Sequence, residues 1–156
     1  MTAADPLLDL LRRLQTEEVD YVLVGGQAVR LNGYSRATED IDLLIKPGRD
    51  NGQRILRALA FLPSSKELDI NWFEAAPDGE AENIRVADEL LIDLLFSANG
   101  HSYESLRPNI RELAIDGVAI RVLDIDGLLK TKTDYREKDV LDKQVLTRIQ
   151  SALNSK

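Results

Sequence analysis

Cysteine is absent and histidine occurs once, at His101, so disulfide staples, thiolate metal sites, cysteine nucleophiles and histidine-rich zinc sites are excluded. A Ser-His-Asp relay would depend on that one histidine, which sits in the polar stretch ANGHSYE with no partner motif and reads as a solvent-exposed loop residue. Aromatic residues make up only 5% of the chain, and Trp72 with its neighbours reads as core or lid packing rather than a base-stacking platform. Positive charge is also short. The formal net charge of −7, from 20 Lys+Arg against 27 Asp+Glu, argues against unaided tight binding to a nucleic-acid backbone. No apolar run reaches membrane-spanning length, and the N-terminal MTAADPLLDLLRRLQ carries acid and arginine where a secretory signal would be uninterrupted and apolar. A soluble, cytoplasmic protein with no membrane partner is expected.

What is present suits one α/β domain over residues 1–156, since 44% hydrophobic composition can fill a core at this length without staples. Asp5-Pro6 before LLDLLRRLQ reads as a capped helix start. Tyr21 to Val24 is a short strand running into Gly25-Gly26, and QAVRLNG is a short helix closed by Asn32-Gly33. After a polar link from Tyr34 to Glu39, Ile41 to Ile45 forms a strand, and RDNGQRILRALAFL forms an amphipathic helix. Residues 64–83 read as a connection with one short strand around Ile70 to Phe73. Strands follow at Ile84 to Val86 and Leu90 to Phe96, then a helical turn within Ser102 to Leu106. Arg111 to Ile115 and Val118 to Val122 flank Asp116-Gly117 as a hairpin. Asp124 caps a helix through Leu129, and Arg136 to Leu153 forms the last helix. The sum is a mixed sheet of about five strands flanked by helices.

Chemistry concentrates in three places. In Asp40-Ile41-Asp42 the two carboxylates project from one face of an extended strand while Ile41 enters the core. Two acids aimed at one point repel each other, and a divalent cation reverses that cost with the hard oxygen ligands magnesium prefers. A bare Asp-x-Asp is more often a wet strand edge; the glycine pair upstream shifts the balance, because strand, glycine turn and helix leave backbone N–H groups free for phosphate oxygens. Asp93 interrupts the apolar run LLIDLLF, where an acid is expensive unless paired or bound to metal. Asp124-Ile125-Asp126 repeats the spacing without a preceding glycine turn, and helix capping accounts for it.

The string VLVGGQAVRLNGYSRATEDIDLLI resembles the signature of the nucleotidyltransferase superfamily, whose members share the DNA polymerase beta-like fold. More narrowly, Arg36-x-Thr38-x-Asp40-x-Asp42, the glycine pair, and Lys132 with Arg136-Glu137-Lys138-Asp139 look like the AbiEii-type toxin nucleotidyltransferases. The resemblance spans roughly residues 20 to 145. It implies transfer of a nucleoside monophosphate from a Mg-NTP to an acceptor hydroxyl, on an RNA end or a protein, with release of pyrophosphate. On that pattern Asp40, Asp42 and Asp93 form the catalytic and metal-binding triad, able to hold two Mg2+ ions about 4 Å apart. Gly25, Gly26, Arg36, Thr38 and Lys132 would bind the nucleotide. Gly26 departs from the Gly-Ser of many members and leaves only backbone donors there. Arg136, Lys138 and Asp139 weigh slightly toward a helix-surface ion network. A toxin–antitoxin setting with a cognate antitoxin as partner goes with the narrower likeness. The competing expectation is a catalytically inactive nucleotide-binding module that regulates a partner, supported by the acidic charge and the lack of a separate acceptor domain.

Overall fold

The computed structural model describes residues 6–33, 40–74 and 83–154. Its strands are β1 (Tyr21–Val24), β2 (Asp40–Ile45), β3 (Ile84–Ala87), β4 (Leu91–Leu95), β5 (Ile110–Ile115) and β6 (Val118–Leu123). Its helices are α1 (Pro6–Thr16), α2 (Gly25–Leu31), α3 (Arg49–Ala58), α4 (Tyr103–Leu106), α5 (Ile125–Thr131) and α6 (Glu137–Asn154). The mixed α/β reading therefore holds, with a six-stranded sheet in place of about five strands.

β1 is apolar at every position and buried on both faces, which places it in the sheet centre rather than at an edge. The strand order is β3-β4-β2-β1-β6-β5. β1 runs antiparallel to β2 and parallel to β6, β2 runs parallel to β4, and β3 and β5 form antiparallel edges. The edges alternate as half-wet strands do: in β3, Ile84 and Val86 are buried while Arg85 and Ala87 face outward. The β5–β6 hairpin turns through Asp116 and Gly117, both at positive φ (49° and 80°), the geometry Asp-Gly favours in tight hairpins.

Two helix boundaries and one expected strand differ from the sequence reading. α2 starts at Gly25 itself, so the glycine pair forms its first turn rather than a separate loop. α3 stops at Ala58 instead of Leu62, because Pro63 forces Leu62 into the extended region, φ −98° and ψ 119°. The strand expected around Ile70 to Phe73 is a 3-10 turn capped by Asp69, whose carboxylate accepts from the Asn71 N–H. That turn buries Phe73 against Gly52 of α3, where a Cβ would fall 2.6 Å from the Phe73 Cβ. Trp72, expected as packing, is 49% exposed. Asp124 caps α5 as expected, accepting from Gly127 N–H at 2.7 Å. The cap expected from Asp5 lies outside the described residues. Among the described residues no helix is long and apolar enough to cross a membrane.

The core continues from β1 through Leu43, Leu44 and Ile45 of β2 and Ile92 and Leu94 of β4, covered by Leu10, Leu11 and Leu14 of α1 and Leu128 of α5. β2 and β4 bury Ile41, Leu43, Ile45, Ile92 and Leu94 on one face and carry Asp40, Asp42 and Asp93, half-buried, on the other, where Leu44 closes the end of the acid row. The apolar pattern thereby fixes where the acids point.

Candidate functional site

The register lines the acids up. Asp42 of β2 lies opposite Val24 of β1 on one side and Asp93 of β4 on the other, and Asp93 lies opposite Arg85 of β3. Directly opposed residues share a face, so four neighbouring strands contribute Val24, Asp42, Asp93 and Arg85 to one row across the sheet. Asp40, two residues before Asp42, joins the same face opposite Leu91. The sequence expectation that Asp40, Asp42 and Asp93 converge from adjacent strands is met in register.

Gly25 follows Val24 directly and carries φ +69°, a conformation that favours glycine. A Cβ at this position would fall 2.1 Å from Asp42 Oδ2, so only glycine lets the first turn of α2 pass over the carboxylate. No side chain caps that turn, which leaves its backbone N–H groups beside the acids. Burial, the Asp93 charge, hydrogen bonding to Asp93 and the Asp40 charge together push the Asp42 carboxyl up to about 6, opposed in part by Lys138. A carboxyl held toward its protonated form by burial and by two neighbouring carboxylates marks a place where positive charge is missing. Part of that charge comes from Arg85, whose guanidinium pairs with Asp93 at 3.3 Å and Asp40 at 3.5 Å.

The acids form one wall of a cleft of about 930 Å³, within the size range of small-molecule sites. The segment between α5 and the first turn of α6 also lines it, through Lys132, Tyr135, Arg136, Glu137, Lys138 and Asp139. Lys132 is buried, with its Nζ 3.0 Å from Asp142 and 4.0 Å from Asp139. Thr133 folds the segment onto α6 by donating to Asp139 from both N–H (3.0 Å) and hydroxyl (2.8 Å). Burial raises the Asp139 carboxyl, but the Thr133 bonds and the charges of Lys132 and Arg136 outweigh it and hold the group below its ordinary value. Asn99, at positive φ in the turn after β4, ties that turn to the end of α5 and the start of the segment: its Nδ2 donates to the carbonyls of Lys130 (3.1 Å) and Lys132 (3.0 Å).

Gly25, Gly26, Asp40, Asp42, Asp93 and Lys132 therefore line one cleft. Arg36 and Thr38 lie outside the described residues. Arg136, Lys138 and Asp139, weighed toward a surface network, belong to the cleft wall, and Asp139 is buried. Arg85, Asn99 and Tyr135 were missed. The Ile84-Arg85-Val86 alternation was the available signal for Arg85, since it put the arginine on the polar side of a strand. His101 does not line the cleft; it closes the tight turn with Ala98.

The donor set suits a hard divalent ion: all oxygen, carboxylate, from adjacent strands, and short of positive charge at Asp42. Among the described residues no group of three acidic or histidine side chains is gathered into a ready cage; Asp40 and Asp93 are engaged with Arg85 instead.

No family model matches the chain, and no curated protein matches it significantly. Among solved structures it is similar to a Thermotoga maritima protein provisionally described as a nucleotidyltransferase, with 15% identity and a TM-score of 0.56, over 96% of this chain and 91% of that one. It is also similar to an antigenic nucleotidyltransferase-like protein from Paracoccidioides brasiliensis, with 15% identity and a TM-score of 0.53, over 92% of this chain and 73% of that one. The chain has the fold these structures share.

Proposed function

We propose that the cleft binds a nucleoside triphosphate with Mg2+ and transfers its nucleoside monophosphate to an acceptor hydroxyl. The observation that carries this reading is the row in which Asp42 stands between the glycine turn and Asp93, in a cleft that Arg136 and Lys138 also line. In this reading Asp40, Asp42 and Asp93 would hold the magnesium, which would supply charge for the triphosphate and lower the pKa of the attacking hydroxyl. The N–H groups at Gly25 and Gly26 take phosphate oxygens at the positive end of α2, and no side chain at Gly25 blocks them. Arg136 and Lys138 face the developing negative charge of the leaving pyrophosphate. The acceptor oxygen bonds to the α-phosphorus, the bond to the β-phosphate oxygen breaks, and pyrophosphate leaves with the electron pair. The Asp93 carboxylate accepts the hydroxyl proton. Tyr135, 84% exposed at the mouth, offers a ring for the base.

The acceptor in this reading is an RNA end or a protein hydroxyl, and the likeness of residues 36–42 and 132–139 to the AbiEii-type toxins favours a toxin with a cognate antitoxin. Incubation with each α-labelled NTP, Mg2+ and either total RNA or lysate protein tests it. Label should move to one acceptor class with the wild type and not with Asp40→Ala/Asp42→Ala. Nucleotide binding without any labelled acceptor would favour a regulatory module.

A further inference from the structure

Among the described residues Arg85 pairs with two members of the acid row, Asp40 and Asp93, and the chemistry proposed above gives it no part. Its side chain starts on the edge strand β3, passes over Asp93 on β4 and reaches Asp40 on β2. Nη1 lies 3.4 and 3.3 Å from the two Asp93 carboxylate oxygens, and Nη2 lies 3.5 Å from Asp40 Oδ1. A cross-strand ion pair would engage only Asp93, its register partner. The guanidinium fork instead spans the two carboxylates that a divalent cation would bridge. We propose that Arg85 is the placeholder cation of the acid row: it joins Asp40 and Asp93 while no divalent ion is bound, and has to turn aside for one to enter. This inference rests on the reading of those acids as metal ligands.

Three observations fit a displaceable cation better than a fixed structural one. The Arg85 side chain is 53% exposed, and its carboxylate distances are at the long end for charged hydrogen bonds. Pairs of that kind are individually weak and screened by salt. β3 is an edge strand, so the side chain can swing into solvent without leaving a buried void. Finally, the guanidinium contacts go to Asp40 and Asp93 and none reaches Asp42, so that carboxylate stays open to an incoming ion. The device would keep the acid row from self-repulsion in the resting protein and make divalent binding weak until a nucleotide brings further ligands.

The test is a Mn2+ titration without nucleotide, following the free aqua-ion by electron paramagnetic resonance, on the wild type, Arg85→Gln, Arg85→Lys and Asp93→Asn. Removing a unit charge a few ångströms from the ion should tighten Mn2+ binding about tenfold in Arg85→Gln. Arg85→Lys, which keeps the charge, should return to weak binding, a recovery that a purely structural arginine would not produce. Asp93→Asn sets the level of non-specific binding. Equal or weaker binding by Arg85→Gln than by the wild type overturns the placeholder role and leaves the metal site standing. If the wild type and both Arg85 variants all match Asp93→Asn, the metal-ligand reading fails and the inference falls with it.

Discussion

Asp42 carries the clearest electrostatic conflict in the molecule. Its carboxyl sits at about 6 rather than its ordinary 3.8, through burial and the company of Asp93 and Asp40. An unfolded chain titrates near the ordinary value, so between roughly pH 4 and 6 the folded protein holds a proton that the unfolded chain has released. The contribution of this group to stability therefore falls as pH rises through that window and stays reduced above it. Asp42→Asn mimics the protonated acid and should stabilise the protein in EDTA at pH 7.5 by about 2 kcal/mol. Thermal melts should show that gain shrinking to nothing near pH 4, while nucleotidyl transfer is lost at every pH. Gly25→Ala should act in the opposite sense. Its methyl would collide with Asp42 and occupy a left-handed backbone position, costing about 1–3 kcal/mol in urea unfolding and weakening nucleotide binding. The three acids were legible in the sequence because a period of two and a charge inside an apolar run are local signals. Arg85 was not, because its partners are set by the β3–β4 register and its reach across to β2, which no local pattern encodes.

At the scale of elements, the segment from Lys132 to Asp139 joins α5 to α6 and brings Lys132, Arg136 and Lys138, interleaved with acids, to the cleft. Its sequence reads as a mixed-charge helix face, and the α6 boundary was anticipated within a residue. What could not be read there was burial: Asp139 and Asp142 are both buried beside the buried Lys132, whose Nζ pairs with each. Lys132→Ala removes the cation 3.0 Å from the buried Asp142 carboxylate and should destabilise by about 3–5 kcal/mol, the usual effect of breaking such a pair. Lys132→Ala/Asp142→Ala should lose less than the two single changes combined, and a double-mutant cycle in urea measures that coupling. Purely additive losses would mean that Lys132 is not held by Asp142. The glycine pair shows the same limit on a smaller scale: a turn before a helix was readable, whereas the start of the helix at Gly25 follows from Asp42 lying beneath it.

For the whole molecule, the sheet converts a one-dimensional pattern into a site. Core residues alternate with acids on β2 and β4, so the packing that stabilises the fold also presents Asp40, Asp42 and Asp93 to one cleft. The overall acidity, −7, means that the proposed anionic substrate would be met locally, through backbone N–H groups and a few cleft bases such as Arg136 and Lys138, rather than through a basic surface. The most direct test of the central claim is calorimetric titration with a non-hydrolysable nucleoside triphosphate, with and without Mg2+, on the wild type and Asp40→Asn/Asp42→Asn. The account predicts binding that requires Mg2+, vanishes in EDTA and falls at least about tenfold in the double variant. Equal binding without divalent ion, or equal binding by the double variant, would contradict it.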